Sequence, residues 1–287
     1  MAAAPGAPSL ALTFDDGPDA VNLGPAAVAE SDAILAALAE AKVKSVLFVE
    51  GKRVDSPEGL AAVAAWGKAG HLVANHSYSH HNLSAAKTTV ADFEADVVRN
   101  EELLRGLPGF TRLFRFPFLN EGDTASKRDA FRAFLRARHY RSGRATIDAS
   151  DWYYDQRFRQ WLVAHPGGDP GKFRDAYLAH LLDRAQYYDG LSRRVVGRSV
   201  KHTLILHVNA VNAAFLPDVI RMFRSHGWKL IDAARAFRDP VFDAQPRVLP
   251  AGQSLIWSIA KEKDAPDLRY PGEDAAYEKP ILDAAGL

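Results

Sequence analysis

The sequence predicts a parallel α/β sheet closed into a barrel. Strand and helix signals alternate along the chain. No internal repeat and no linker divides it. Two adjacent carboxylates, Asp15-Asp16, follow the apolar run Leu10-Ala11-Leu12 and precede Gly17-Pro18. That pattern reads as a buried strand delivering two acids to its own C-terminal end. In parallel α/β folds that end is where catalytic groups gather.

Leu10 to Phe14 forms the first strand, and alanine-rich Ala26 to Ala41 has the apolar spacing of a helix. A second strand, Ser45 to Val49, runs to Gly51, and a helix from Glu58 to Ala69 is closed by Gly70. Leu72 to Ala74 is a third strand, and Thr88 or Thr89 caps a helix reaching Leu104. Leu113 to Arg115 is a fourth strand, stopped by Pro117. Thr124 to Arg138 is a helix and Arg144 to Asp148 a short strand. Thr203 to His207 is a strand, Leu216 to Ser225 a helix, and Trp228 to Ile231 the last strand.

Hydrophobic residues make up 47% of the 287 positions, enough for a substantial core. Lysine and arginine total 36 against 35 acids, a balance that argues against a nucleic-acid binder and suits a neutral glycan. No cysteine is present, which excludes disulfides, thiolate metal sites and a cysteine nucleophile. No apolar run is long enough to span a membrane. The start, Met1 to Pro8, lacks the basic and apolar regions of a signal peptide and resembles the small-residue segment after a cleavage site. It predicts a periplasmic or secreted protein whose leader has been removed; a cytoplasmic place stays open.

Adjacent ionised carboxylates repel, so Asp15-Asp16 calls for a cation or an arginine. His76-Ser77-Tyr78-Ser79-His80 sets two imidazoles four residues apart, directly after the apolar Leu72-Val73-Ala74. Two histidines and one carboxylate make a common catalytic zinc set. Taken singly, Asp-Asp-Gly-Pro also suits a plain turn, and the histidine pair a solvated loop.

Three further motifs follow in order: Arg115-Phe116-Pro117-Phe118, Asp151-Trp152 and Ile205-Leu206-His207. With Thr13 to Pro18 and His76 to His80 they resemble the NodB-type polysaccharide deacetylases, carbohydrate esterase family 4. The resemblance implies a distorted (β/α)7 barrel and hydrolysis of an N-acetyl or O-acetyl group from a glycan. It implies that Asp16, His76 and His80 hold the metal, Zn²⁺ or alternatively Co²⁺, Ni²⁺ or Fe²⁺. Asp15 would be the general base, oriented by Arg115. The Phe118 N–H would stabilise the oxyanion. His207 would be the general acid, paired with Asp151, and Trp152 and Ile205 would wall the acetyl pocket. Two departures stand out: Leu119 follows the aromatic where most members have glycine, and Ile205 replaces leucine.

The expected organisation is a flexible 1–8, a catalytic domain 9–239 with a helical insertion at 153–202, and an extension 240–287 packed on the barrel. The insertion is rich in tyrosine and arginine, with helices expected around His165 to Pro170. Both a groove wall for sugar rings and a plain packing cover remain open for it. The prolines of the extension argue against long helices there. The other seven histidines are not expected to be ligands, and Asp148 is expected to cap a turn. The implied partner is an acetylated glycan, with no nucleic acid and no membrane span, and the oligomeric state is left open. A non-catalytic glycan binder, or a hydrolase of a small non-sugar amide, would be the alternatives. Degenerate members lose a ligand, the base or the acid, and this chain retains them all.

Overall fold

The computed structural model describes residues 6–287; the first five residues of the expected flexible N-terminus lie outside them. Seven strands carry the fold: β1 (Ser9–Asp16), β2 (Val46–Val49), β3 (Leu72–Asn75), β4 (Phe110–Phe114), β5 (Arg141–Ser142), β6 (Lys201–His207) and β7 (Lys229–Leu230). Every pairing between them is parallel. The order is β5-β4-β3-β2-β1-β6, with β7 against the start of β1. Past β5 the chain returns to the other side of the sheet, where Ile147 bridges Leu204 of β6. The parallel sheet so formed is curled as the distorted barrel implied by the resemblance requires.

The helices are α1 (Ala20–Leu23), α2 (Pro25–Ala41), α3 (Gly51–Val54), α4 (Pro57–Lys68), α5 (Val90–Leu104), α6 (Ala125–Ala137), α7 (Asp151–Ala164), α8 (Gly171–Val196), α9 (Ala210–Ser225), α10 (Ala233–Ala236), α11 (Leu255–Glu262) and α12 (Ala275–Ala285). Side-chain caps fix several starts: Ser56 for α4, Thr89 for α5 and Thr124 for α6 each accept a backbone N–H of the first turn. No helix among the described residues is long and apolar enough to cross a membrane.

β1 is central and almost wholly buried. Its upper half lies between β2 and β6, its first two residues between β6 and β7. This register sets Asp15 beside His207 and beside Phe48. Leu10, Leu12 and Phe14 are fully buried and belong to the main core.

Two expected boundaries move. The helix after β6 begins at Ala210 rather than Leu216, because the Asn209 carboxamide accepts the Asn212 N–H and caps it. Pro217 is then an interior residue of α9 and does not open it. The strand expected at Arg144 to Asp148 is reduced to the bridge at Ile147, and β5 lies ahead of it at Arg141–Ser142.

The insertion forms α7 and α8 around the expected turn. Tyr153, Tyr154, Tyr177 and Tyr188 face the core, where Tyr154 stacks on His180 at 4.6 Å between centroids. These rings therefore cover the barrel and offer no open surface for sugars. The proline-bearing segment beyond residue 240 contains only short helices. In α11, Leu255, Ile256, Trp257 and Ala260 are buried.

Three arginines bind this last segment to the barrel by its carbonyls: Arg128 to Arg247 (2.6 Å), Arg132 to Pro246 (2.9 Å) and Arg144 to Ala244 (2.8 Å). Buried Glu121 joins Arg132 and Arg144, and its N–H donates to the Ala251 carbonyl at 2.8 Å. Gly252 follows with φ +142°, and a Cβ there would stand 2.4 Å from the Leu119 oxygen. Glycine is the residue that such an approach admits.

Candidate active site

Asp15 and Asp16 end β1; Asp15 is buried, and Asp16 lines a cleft of about 210 Å³ with Trp152, His207 and Arg53. At Asp16 the backbone turns left-handed, φ +71°, and Gly17 follows at +89°. The Asp16 carbonyl accepts the Glu50 N–H at 2.9 Å, which ties this turn to the end of β2.

The loop after β3 carries the histidines. Asn75 accepts the Ser77 N–H at 2.9 Å, and Asp96 accepts those of Tyr78 and Ser79 at 3.0 and 2.9 Å. Ser77 and His80 both take positive φ. The coiled loop turns both imidazoles toward Asp16: His76 Nε2 lies 3.7 Å from Asp16 Oδ1, and His80 Nε2 lies 3.5 Å from it. His76 Nδ1 pairs with the Arg115 carbonyl at 2.9 Å. A carbonyl only accepts, so Nδ1 carries the proton and Nε2 presents a bare lone pair.

These residues fit a divalent metal. Asp16 Oδ1 is buried and has no hydrogen-bond partner among the described residues. One donor atom from each of Asp16, His76 and His80 falls within 4.8 Å of the others. Burial, and then the His80 charge, hold His76 well below its usual range; burial also lowers His80. Both rings are therefore neutral, as ligands must be. Burial alone would raise Asp16, but His207 and Arg53 outweigh it and hold the carboxyl below the usual range. The other histidines are held elsewhere. His71 accepts the Ser45 N–H, His180 pairs with Glu278, and His202 pairs with Asp189.

On one side of the triad, Asp15 Oδ1 accepts from Arg115 Nη1 at 2.5 Å. Arg115 is fully buried over the Phe48 ring and donates from Nε to the Gly143 carbonyl at 2.7 Å. Burial raises Asp15 to about 6 in spite of Arg115. On the other side, His207 Nδ1 pairs with Asp151 Oδ1 at 2.6 Å. Burial would lower His207, but Asp151, with Asp16 and Asp15, pushes it up to about 10. Asp151 is itself fixed by the His207 N–H at 2.8 Å and the Asn212 amide at 2.8 Å. Asp148 accepts the Ala149 N–H at 2.8 Å and caps the turn into Asp151, as expected.

Phe118 and Leu119 both adopt left-handed backbone, φ +56° and +55°. The Phe118 ring packs on His80 at 4.5 Å between centroids, and its N–H has no acceptor among the described residues. Ile205 packs with Leu119 and Ala145 under this loop, while half-exposed Trp152 stands on the α7 rim. The two expected pocket walls thus belong to different sides of the cleft.

Arg53, Asn209 and Asn212 also reach this cluster, and sequence reasoning missed them. Arg53 Nη2 lies 3.2 Å from Asp16 Oδ2. The available signal was its place one turn past the C-terminal end of β2, the side of the sheet that carries the acids.

Residues 2–133 match the model of the polysaccharide deacetylase family. A peptidoglycan-N-acetylglucosamine deacetylase of Bacillus cereus is 32% identical over 38% of this chain and 35% of its own length. A chitooligosaccharide deacetylase of Rhizobium leguminosarum bv. trifolii is 34% identical over 49% of this chain and 58% of its own. The chain thus spans less than two thirds of these curated relatives. The solved structure of a CE4 family pseudoenzyme from Bacillus anthracis superposes with a TM-score of 0.57 at 17% identity, over 82% of this chain and 66% of the other. That likeness is one of fold. The resemblance drawn from the five motifs is borne out by this match, whose segment 2–133 holds the first three of them.

Proposed function

We propose that the protein is a metal-dependent deacetylase of a glycan containing N-acetylated amino sugars. The observation that carries this reading is a three-residue metal set flanked by an arginine-held carboxylate and an aspartate-held imidazole. When bound by Asp16, His76 and His80, a divalent ion such as Zn²⁺, Co²⁺ or Ni²⁺ supplies a Lewis acid for water and for the acetyl carbonyl. Asp15 takes the proton of the attacking water, and Arg115 fixes the carboxylate that receives it. Water adds to the acetyl carbon, and the Phe118 N–H donates to the oxyanion. His207 then protonates the departing nitrogen as the C–N bond breaks, releasing acetate and a free amine. Asp151 accepts from Nδ1, which orients the ring and stabilises its charged form.

An amine leaves only when protonated, and a histidine that stays charged across the neutral range has that proton to give, which suits an amide substrate. The names of the two curated relatives also concern N-acetylated sugars. We assign 9–239 to the catalytic domain, with 153–202 inserted and 240–287 as its extension. A periplasmic or secreted location follows from a substrate of this kind.

Acetate release from N-acetylated oligosaccharides, compared with acetylated xylan and an aryl acetate, tests the reading. Release is expected from the amino sugars, lost with dipicolinate and restored by Zn²⁺ or Co²⁺. Full activity in a sample shown to be metal-free would remove the metal from the proposal. With all ligands loaded and no release from any substrate, the protein would be a glycan binder.

The pH profile is a second test. kcat/KM should rise through about pH 6 as Asp15 ionises and fall toward about pH 10 as His207 loses its proton. In Asp151→Asn the falling limb should move to lower pH. A rate that declines between pH 5 and 7 would contradict both assignments.

A further inference from the structure

We propose that Arg53 is a positioning residue that restricts Asp16 to one metal-binding oxygen, an inference that rests on the metal reading above. The two oxygens of Asp16 have different surroundings. Oδ1 is buried, without a hydrogen bond, and faces both imidazoles at 3.7 and 3.5 Å. Oδ2 lies 3.2 Å from Arg53 Nη2.

Arg53 is itself held from behind. Its Nε donates to Glu50 Oε2 at 2.6 Å, and Nη1 lies 3.9 Å from Asp19. Glu50 is buried, and its N–H ties the same segment to the Asp16 carbonyl. The guanidinium is therefore a fixed group. Planar and permanently charged, it occupies the carboxylate edge that faces away from the histidines.

A carboxylate with both oxygens free can bind a cation through either one or both of them. Two-oxygen binding would fill a position that a catalytic site needs for water and substrate. By engaging Oδ2, Arg53 leaves Oδ1 as the donor and keeps that position open. Charge alone predicts the opposite role, since a cation near the site repels a metal. Orientation of the ligand is the effect that the geometry supports.

The Co²⁺-loaded protein provides a readout independent of turnover, because its visible absorption weakens as coordination number rises. Arg53→Met, which removes every donor to Oδ2, should still bind about one Co²⁺, with the band reduced on the order of twofold or more. Arg53→Lys, which keeps a donor to Oδ2, should restore it. An unchanged band in Arg53→Met overturns the proposal. Should that variant not fold, Arg53→Leu is read in the same way. Asp16→Ala separates the two readings. If it binds Co²⁺ as the parent does, the metal site itself is refuted. If it loses Co²⁺ while Arg53→Met leaves the band intact, only the role of Arg53 fails.

Discussion

Asp15→Asn is expected to lower kcat by about 10²–10⁴-fold while the protein keeps its metal. The substitution retains the shape and one acceptor oxygen for Arg115, but the carboxamide cannot take a proton from water. Asp16, His76 and His80 are untouched, so metal content should stay at the parent value. Arg115 is fully buried and loses its counter-charge, so some stability is lost too. The melting temperature measured beside kcat separates the two effects. A variant that folds, binds metal and turns over within tenfold of the parent would remove Asp15 as the base.

Glu121→Gln should destabilise the fold by about 3–5 kcal/mol, because it leaves two buried guanidiniums without their shared carboxylate. Arg144 reaches Glu121 through two contacts of 2.5 Å, and Arg132 adds two at 2.7 and 3.1 Å. Burial would raise Glu121, but Arg144 and then Arg132 outweigh it and hold it below its ordinary range. The sign of the pH effect follows: a lowered acid contributes stability that is present above its unfolded pKa and is lost on acidification. The variant should therefore differ most from the parent at neutral pH and least in acid. Thermal unfolding at several pH values measures this, and a difference that grows in acid would refute it.

The members of the candidate site were legible because the residue types expected for ligands, base and acid are rare in combination in so short an ordered set of motifs. Asp15, Asp16, His76, His80, Arg115, Asp151 and His207 all converge on one cleft or its wall. Arg53 and Asn212 were not singled out: each lies in a helix that follows a strand, α3 and α9, and a single polar residue turned toward the sheet leaves no periodic trace. Glu121 was hidden because its partners and the carbonyls they bind lie 11 to 125 residues away in the chain. The Leu119 departure was visible, but its outcome was not. The backbone keeps the left-handed form that glycine adopts freely, and the contacts of Leu119 with Ala145 and Ile205, together with the close pass of Gly252, hold it there. Aromatic residues in the insertion suggested sugar stacking equally with packing. Only burial distinguishes these, and it comes from tertiary structure.

The position of β1 has a consequence for biosynthesis. It is translated long before β6, which pairs along nearly its whole length, and Thr13 bonds a carbonyl 191 residues downstream. At about 5–20 residues per second a ribosome takes roughly 10–40 s to supply that partner. During this interval Leu10, Leu12 and Phe14 belong to a strand with one unpaired edge, open to strands of other nascent chains. Slower elongation ahead of Lys201 lengthens that exposure, so the soluble yield of this protein depends on the translation speed of its middle third.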